Sequence, residues 1–242
     1  MIRVTVAEAQ GSTPREAGAT MHVTADALHG TIGGGRLEWM AIGAAREMLA
    51  DGENAREMDV PLGPQIGQCC GGRVRLALSR VAGLPEPEAY PPVLIFGAGH
   101  VGRALARALA PLPLAPVLID GRAGELAMAP PGTATRLTAL PEAEIRAAPP
   151  GTAYVILTHD HALDFLLAGE ALGRADAAYI GLIGSATKRA RFERWYGATA
   201  LRLTCPIGAA GRGDKRPDVI AAHVAVEVLG AVDVNLRRHP VA

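Results

Sequence analysis

Short apolar runs alternate with helix-like segments through the second half of the chain. The runs have the length of strands and no polar face, which is typical of parallel strands buried on both sides; they cover 92–97, 116–120, 152–159 and 177–185. In the segments between and after them, apolar residues recur every three or four positions and predict helices over 101–110, 162–172, 186–197 and 216–232. The alternation predicts an α/β fold, with a parallel sheet covered by helices on both faces.

The first 80 residues follow a different pattern. Apolar and polar side chains alternate over 2–10 and 72–78, and short strand-like segments within 19–35 suggest a hairpin. One helix is predicted over 37–52, with a glycine, Gly52, where a C-cap belongs; its apolar face comprises Leu37, Met40, Ala41, Ala44, Met48 and Leu49. These elements predict a small α+β domain ahead of the α/β domain.

A proline-rich run separates the two parts of the chain. The segment AGLPEPEAYPP, residues 82–92, contains four prolines and two acids, a composition typical of linkers. We therefore predict an N-terminal domain over 1–81, a linker over 82–92 and a C-terminal domain over 93–242.

The composition restricts the class of partner. The chain has 24 basic and 24 acidic residues, so no overall positive charge attracts nucleic acid or anionic lipid. The N-terminus lacks the apolar core of a signal peptide, and no segment is long and apolar enough to span a bilayer. We expect a cytoplasmic protein that binds neither nucleic acid nor membrane, and with three cysteines we expect no structural disulfide.

The segment GAGHVG, residues 97–102, joins the first apolar strand to its helix. Gly97 permits a tight turn, Gly99 lets backbone approach a ligand, and Gly102 lets the helix pack on the strand, while His100 opens the helix. Asp120 ends the next strand, where such folds place an acid facing a ribose hydroxyl. This combination predicts a Rossmann-like domain; whether it binds a dinucleotide such as NAD(P) stays open, because the fold can be kept without the ligand.

Two loops of the first domain are candidate anion sites. Gly33, Gly34 and Gly35 precede the predicted helix, whose first N–H groups have no helical acceptor. Three consecutive glycines are better explained by close approach to a ligand or to another backbone than by a flexible turn. We interpret Glu38 only as a favourable charge at the start of the helix. Arg15, in the loop GSTPREAG, has the fork geometry that grips a phosphate or carboxylate, although a plain surface turn explains it equally.

Two loops of the second domain also carry polar residues. The segment THDHALD contains His159, Asp160, His161 and Asp164 beside the carboxyl end of a strand. Asp160 is a natural N-cap for the following helix. A zinc motif of the form His-x-His-x-Asp-His would need an acid at position 163, where the chain has Leu163. We therefore interpret the segment as a ligand-facing loop in preference to a zinc site. In IGSATK, Gly184, the N-cap candidate Ser185 and Lys188 suggest a phosphate contact, because a lysine in a first helical turn opposes the dipole; a solvated lysine is the alternative.

Cys69 and Cys70 are adjacent in GQCCGGRV and are flanked by Gln68, Gly71 and Gly72. The chain has no Cys-x-x-Cys pair for a structural zinc site and no obvious histidine-assisted nucleophile in this domain. A soft sulfur ligand or redox thiol in a sparsely covered loop remains.

Six segments, taken in chain order, resemble the XdhC/CoxI family of xanthine dehydrogenase accessory proteins, and specifically its XdhC type: GSTPREAGATM, GTIGGGRLE, GQCCGGRV, FGAGHVGRALA, LTHDHALD and GLIGSATKRARF. The resemblance covers nearly the whole length. It departs after CPIG, residues 205–208, where AAGRGDKRPDVIA is more basic than the family pattern.

The resemblance implies a chaperone for the molybdenum cofactor in its molybdopterin form, without turnover of its own. Such a protein shields the cofactor, supports exchange of an oxo for a sulfido ligand with a cysteine desulfurase, and delivers it to the molybdenum subunit of xanthine dehydrogenase. Cys69 or Cys70 would then approach molybdenum, with Arg15 and Gly33–Gly35 as anion contacts. The Rossmann-like half would hold a phosphate or nucleotide, or serve as a docking surface.

Two other functions compete with this interpretation. An NAD(P)-dependent oxidoreductase would use the glycine motif and Asp120, with His159 as acid or base, but it leaves the glycine and cysteine loops unexplained. A scaffold linking desulfurase and dehydrogenase would not need Cys69 or Cys70. A homodimer is expected because most soluble oligomers are symmetric homo-oligomers.

Overall fold

The chain forms two compact units, Met1–Pro87 and Glu88–Ala242. The structure is a computed structural model that describes residues 1–63, 71–85, 90–209 and 213–238. Within these residues, no helix combines the length and the apolar character needed to cross a membrane.

The N-terminal unit is an antiparallel sheet with one helix packed on it. Its strands lie in the order β3-β2-β1-β5-β4. Alternate residues of β1 and β5 point into a core that the buried face of α1 covers, as the alternating sequence pattern predicts. The elements are β1 Ile2–Gln10, β2 Thr20–Val23, β3 Leu28–Gly30, α1 Gly35–Asp51, β4 Ala55–Pro61 and β5 Arg73–Arg80.

The C-terminal unit is a five-stranded parallel sheet in the order β10-β9-β6-β7-β8. Its elements are β6 Pro92–Phe96, α2 His100–Leu109, β7 Ala115–Asp120, α3 Ala123–Leu126, β8 Ala134–Leu137, α4 Pro141–Ala147, β9 Ala153–Ile156, α5 His161–Leu172, β10 Tyr179–Leu182, α6 Ala186–Tyr196 and α7 Pro217–Arg238. A 3₁₀ turn, Gly197–Arg202, follows α6.

Helices cover both faces of this parallel sheet. In β6, Val93 and Ile95 belong to a core cluster with α2 and α7, whereas Leu94 and Phe96 belong to a second cluster with α5 and α6. Side chains of a strand alternate between faces, so each face buries its own apolar layer. The predicted α/β class with a Rossmann-like second unit after a small α+β unit is confirmed.

Candidate functional site

A crevice of about 570 Å³ lies at the carboxyl ends of the central strands of the C-terminal unit. From β6 the chain builds outward to β7 and β8, then returns to place β9 on the other side of β6. Such a reversal point is where α/β sheets bind ligands. The crevice brings together Gly99, His100 and His159, which the sequence had placed in two separate loops.

The glycines of the loop between β6 and α2 are needed for different structural reasons. A Cβ on Gly97, whose φ is 117°, would lie 2.4 Å from the Leu157 carbonyl oxygen, and a Cβ on Gly102 would lie 1.9 Å from the Gly97 carbonyl oxygen. A Cβ on Gly99 would meet nothing within 4 Å. Among the described residues no side chain caps α2, so the first N–H groups of this helix stay candidates for the predicted anion contact.

Asp120 is buried behind this loop and has a partner that sequence reasoning missed. Its Oδ2 accepts hydrogen bonds from the Ala98 amide (2.8 Å) and from Arg122 Nη2 (2.9 Å); its Oδ1 accepts from the Arg122 amide and Nε (both 3.0 Å). Burial raises the pKa of Asp120, but the hydrogen bonds from Arg122 and from Ala98 outweigh burial and hold the pKa below its usual range. The acid predicted to face a ribose thus holds the glycine loop and an arginine.

In the N-terminal unit, the loop at 11–18 contacts two other loops that the sequence identified separately. A Cβ on Gly72 would lie 2.4 Å from the Ser12 carbonyl oxygen, and Gly71 forms a β-bridge with Ser12. A Cβ on Gly33 would lie 2.4 Å from Pro14 Cβ. Glycine lets these backbones approach closely, so the loops at 11–18, 31–35 and 71–72 form one cluster.

The glycine loop before α1 holds a carboxylate of the protein. Glu38 accepts hydrogen bonds from the amides of Ile32 (3.0 Å) and Gly34 (3.1 Å) and from Thr31 Oγ1 (2.5 Å). Burial raises the pKa of Glu38, but these hydrogen bonds outweigh burial and lower it.

This arrangement corrects the interpretation of Glu38 as only a favourable charge at a helix start. The Gly33 amide also has an acceptor, Thr31 Oγ1 at 3.1 Å. Gly33 and Gly34 therefore contact a ligand anion through these amides only if Glu38 and Thr31 give way. Contact through Gly35 stays a prediction.

Arg15 belongs to this cluster and lines a shallow cavity of about 580 Å³ formed by residues 13–19. In the described part of the chain its guanidinium makes no hydrogen bond or ion pair, so the predicted phosphate or carboxylate contact stays a prediction. Gln68, Cys69 and Cys70 lie outside the described residues, and Gly71 follows them directly in the chain.

The loop THDHALD contributes two residues, Thr158 and His159, to the crevice and uses its acids for structure. Asp160 is the N-cap of α5, as predicted, and accepts from the amides of Ala162 (2.7 Å) and Leu163 (3.3 Å). Asp164 is buried and accepts from the Thr158 amide (3.0 Å) and from Lys188 Nζ. No group of three or more metal-ligating side chains occurs within the described residues.

Lys188 is not solvated, which corrects that interpretation of it, and its predicted phosphate contact stays a prediction. Its side chain is 11% exposed, forms a 2.5 Å ion pair with Asp164 and donates to the Ile183 carbonyl oxygen at 2.9 Å. The anion near the start of α6 is therefore the protein's own carboxylate. Ser185 is the N-cap of α6, as predicted, accepting from the Lys188 amide. With Gly184, these residues line a separate cavity of about 1150 Å³ between α5 and α6.

The geometry defines a Rossmann-type unit with an open crevice, which follows a loop-rich α+β unit. A family model described as the XdhC Rossmann domain matches residues 93–228, and a model of the XdhC and CoxI family matches residues 1–59. The chain belongs to the XdhC and CoxI family.

The known proteins that are similar to the chain include the following two. Over 113 residues it is 34% identical to the uncharacterized protein YqeB of Escherichia coli (strain K12); the match covers 43% of the chain and 19% of YqeB, so the chain spans about a fifth of that relative. It also resembles a crystal structure described as a xanthine dehydrogenase from Bacillus halodurans. That likeness has a TM-score of 0.81 and 17% identity, covering 96% of the chain and 91% of the other protein. At this identity the second likeness shows the fold alone.

Proposed function

We propose that the protein is an accessory protein of xanthine dehydrogenase maturation that binds molybdenum cofactor in its molybdopterin form and delivers it to the apoenzyme. Membership of the XdhC and CoxI family supports this role. The observation that carries the proposal is the cluster of the loops at 11–18, 31–35 and 71–72, because it joins three separate motifs into one surface.

The residues of this cluster fit the chemistry of the cargo. Molybdopterin has a phosphate and binds molybdenum through sulfur. Arg15 offers a guanidinium that has no partner among the described residues and that suits a phosphate. Cys69 or Cys70 offers a soft sulfur ligand that suits molybdenum. In this proposal the crevice of the C-terminal unit holds a phosphate or a nucleotide such as NAD(P).

The partners in this proposal follow from the role. The molybdenum subunit of xanthine dehydrogenase receives the cofactor, and a cysteine desulfurase supplies sulfur for the sulfido ligand. The protein acts in the cytoplasm as a homodimer and performs no turnover of its own.

Delivery to the apoenzyme tests the role. Apo-xanthine dehydrogenase is mixed with sulfurated cofactor that has been exposed to air for increasing times, either free or preloaded on the protein. We expect the preloaded cofactor to restore xanthine oxidation after exposure times at which free cofactor no longer does. Equal recovery from the free and preloaded samples would contradict a protecting and delivering role.

Cysteine variants separate this role from that of a scaffold. Cys69→Ala and Cys70→Ala are assayed in parallel, with Cys205→Ala as the matched control, since Cys205 is buried in the other unit's core. We expect one of the first two variants to lose delivery and the control to keep it. Full delivery by both variants and by their double variant would favour a scaffold.

A further inference from the structure

The pair Asp120–Arg122 defines what kind of nucleotide the crevice accepts. We propose that the crevice binds a nucleotide whose ribose carries a phosphate, in preference to the same nucleotide with a free ribose hydroxyl. The inference rests on the part of the proposed function that places a phosphate or nucleotide in the C-terminal unit. It names Arg122, two residues beyond the predicted ribose-binding acid, as the residue that determines specificity.

The acid has no acceptor position left for a ribose hydroxyl. A carboxylate has about four lone-pair positions, and Asp120 already accepts four hydrogen bonds, three of them from Arg122. A free ribose hydroxyl would have to displace the Arg122 side chain. That exchange replaces charge-assisted hydrogen bonds with a hydrogen bond from a neutral hydroxyl, and it leaves the guanidinium of Arg122 without its carboxylate.

Arg122 itself still has donors to offer. Of the five N–H groups of a guanidinium, two are used on Asp120, through Nε and Nη2. Nη1 makes no hydrogen bond in the described part of the chain, and its nearest carboxylate oxygen, on Glu125, is 3.9 Å away. The side chain is 40% exposed and lines the crevice, so a phosphate can bind its outer edge while Asp120 stays paired.

The polar groups that line the crevice also suit an anion. Its lining includes two arginines, Arg103 and Arg122, and one carboxylate, Glu125. That carboxylate accepts a hydrogen bond from Arg103 at 2.7 Å, so it is already neutralised in part. The uncapped start of α2 adds a positive dipole to the same space. Nη1 of Arg122 and the start of α2 are therefore the donors that a phosphate at the ribose edge of a nucleotide would meet.

Titration of the full chain with NADP⁺ and with NAD⁺, followed by calorimetry at fixed ionic strength, tests the preference. We expect NADP⁺ to bind at least about tenfold more tightly, the size of one to two hydrogen bonds to a charged group. Adenosine 2′,5′-bisphosphate and 5′-AMP serve as fragment probes and should show the same order. Equal affinities for NADP⁺ and NAD⁺, tighter binding of NAD⁺, or no binding of either would overturn the inference.

The variant Arg122→Ser assigns the preference to this side chain. It should lose about tenfold in affinity for NADP⁺ and gain affinity for NAD⁺, because Asp120 becomes free to accept from the ribose. Arg107→Ser is the matched control, since Arg107 is exposed on the same helix as Arg103 but does not line the crevice. An Arg122→Ser variant with the wild-type preference would contradict the inference, as would an equal loss in Arg107→Ser. Retention of molybdenum cofactor is measured on the same samples, so a failure here is distinguishable from a failure of the proposed function.

Discussion

Three carboxylates near predicted ligand-binding loops have partners within the chain. Glu38 accepts from the glycine-loop amides, Asp120 holds Arg122, and Asp164 pairs with Lys188. In each case the carboxylate stabilises the protein's own structure. We expect any ligand of these loops to bind groups that have no such partner among the described residues, such as the guanidinium of Arg15 and Nη1 of Arg122.

Removing the charge of Glu38 should destabilise the N-terminal unit. Because the folded pKa of this carboxyl is lowered, its contribution is present above the ordinary carboxyl pKa of about 4.3 and is lost as the pH falls through the folded value. We expect Glu38→Gln to cost about 1–2 kcal/mol in the free energy of unfolding at neutral pH, and less at about pH 3. Urea titrations at both pH values measure this.

A control on the same helix makes the Glu38 test specific. Glu47 is 68% exposed, and its ion pair with Arg56 lies at the surface. Glu47→Gln should therefore cost less than about 1 kcal/mol. If Glu38→Gln shows the same cost at both pH values, the ionised carboxylate does not stabilise the loop.

The buried ion pair between Lys188 and Asp164 should show strong coupling. Lys188→Met leaves a buried carboxylate without its cation, and we expect a loss of about 3–5 kcal/mol in the free energy of unfolding. Asp164→Asn should lower the free energy of unfolding much less in the Lys188→Met background than in the wild-type chain. A double-mutant cycle measured by urea denaturation should give a coupling free energy of about 1–3 kcal/mol. The exposed pair Arg146–Glu170 is the control and should couple by less than about 1 kcal/mol. Additive losses at Lys188 and Asp164 would contradict the pair.

At the scale of elements, the glycines between β6 and α2 have different roles. We expect Gly102 to be needed for packing and Gly99 to be needed for ligand binding. Gly102→Ala places a Cβ against the Gly97 carbonyl oxygen and should cost about 1–3 kcal/mol or more in the free energy of unfolding. Gly99→Ala meets open space at a φ of −69°, so the fold should keep its stability while nucleotide affinity falls. Thermal denaturation and nucleotide titration of the two variants measure this contrast. A fully stable Gly102→Ala, or a Gly99→Ala that binds like wild type, would contradict this description.

The sequence predicted the elements that bury apolar residues and missed one edge strand of each sheet. The strands β4 and β8 are edge strands, and no pattern of apolar residues in the sequence predicted them. All four residues of β8 are exposed, and Val60 is the one fully buried residue of β4. A strand that pairs on one side and buries little has no apolar periodicity to detect.

The parts of the candidate site that depend on short sequence motifs could be predicted from the sequence. The glycine loop after β6, the end of β7 at Asp120 and the caps Asp160 and Ser185 all follow from short patterns. The pairing of Lys188 with Asp164, 24 positions away, depends on how α5 and α6 pack, which no local pattern encodes. Arg122 is near Asp120 in sequence, but only the geometry shows that it fills the acid's acceptor positions.

At the scale of the whole molecule, each unit has its own apolar core. One continuous cluster lies between α1 and the antiparallel sheet, and two others cover the faces of the parallel sheet. We therefore expect residues 1–87 and 88–242, expressed separately, each to unfold cooperatively in urea. Loss of cooperative unfolding in either fragment would show that it depends on the rest of the chain.

Retention of molybdenum cofactor by the full chain is the measurement that tests the central claim most directly. The protein is incubated anaerobically with released cofactor, unbound material is removed by ultrafiltration, and molybdenum and pterin are quantified on the protein. The account predicts near-stoichiometric retention by wild type, with a marked drop in Cys69→Ala or Cys70→Ala, a smaller drop in Arg15→Ala and none in Cys205→Ala. Absence of molybdenum and pterin from the wild-type protein would contradict the account.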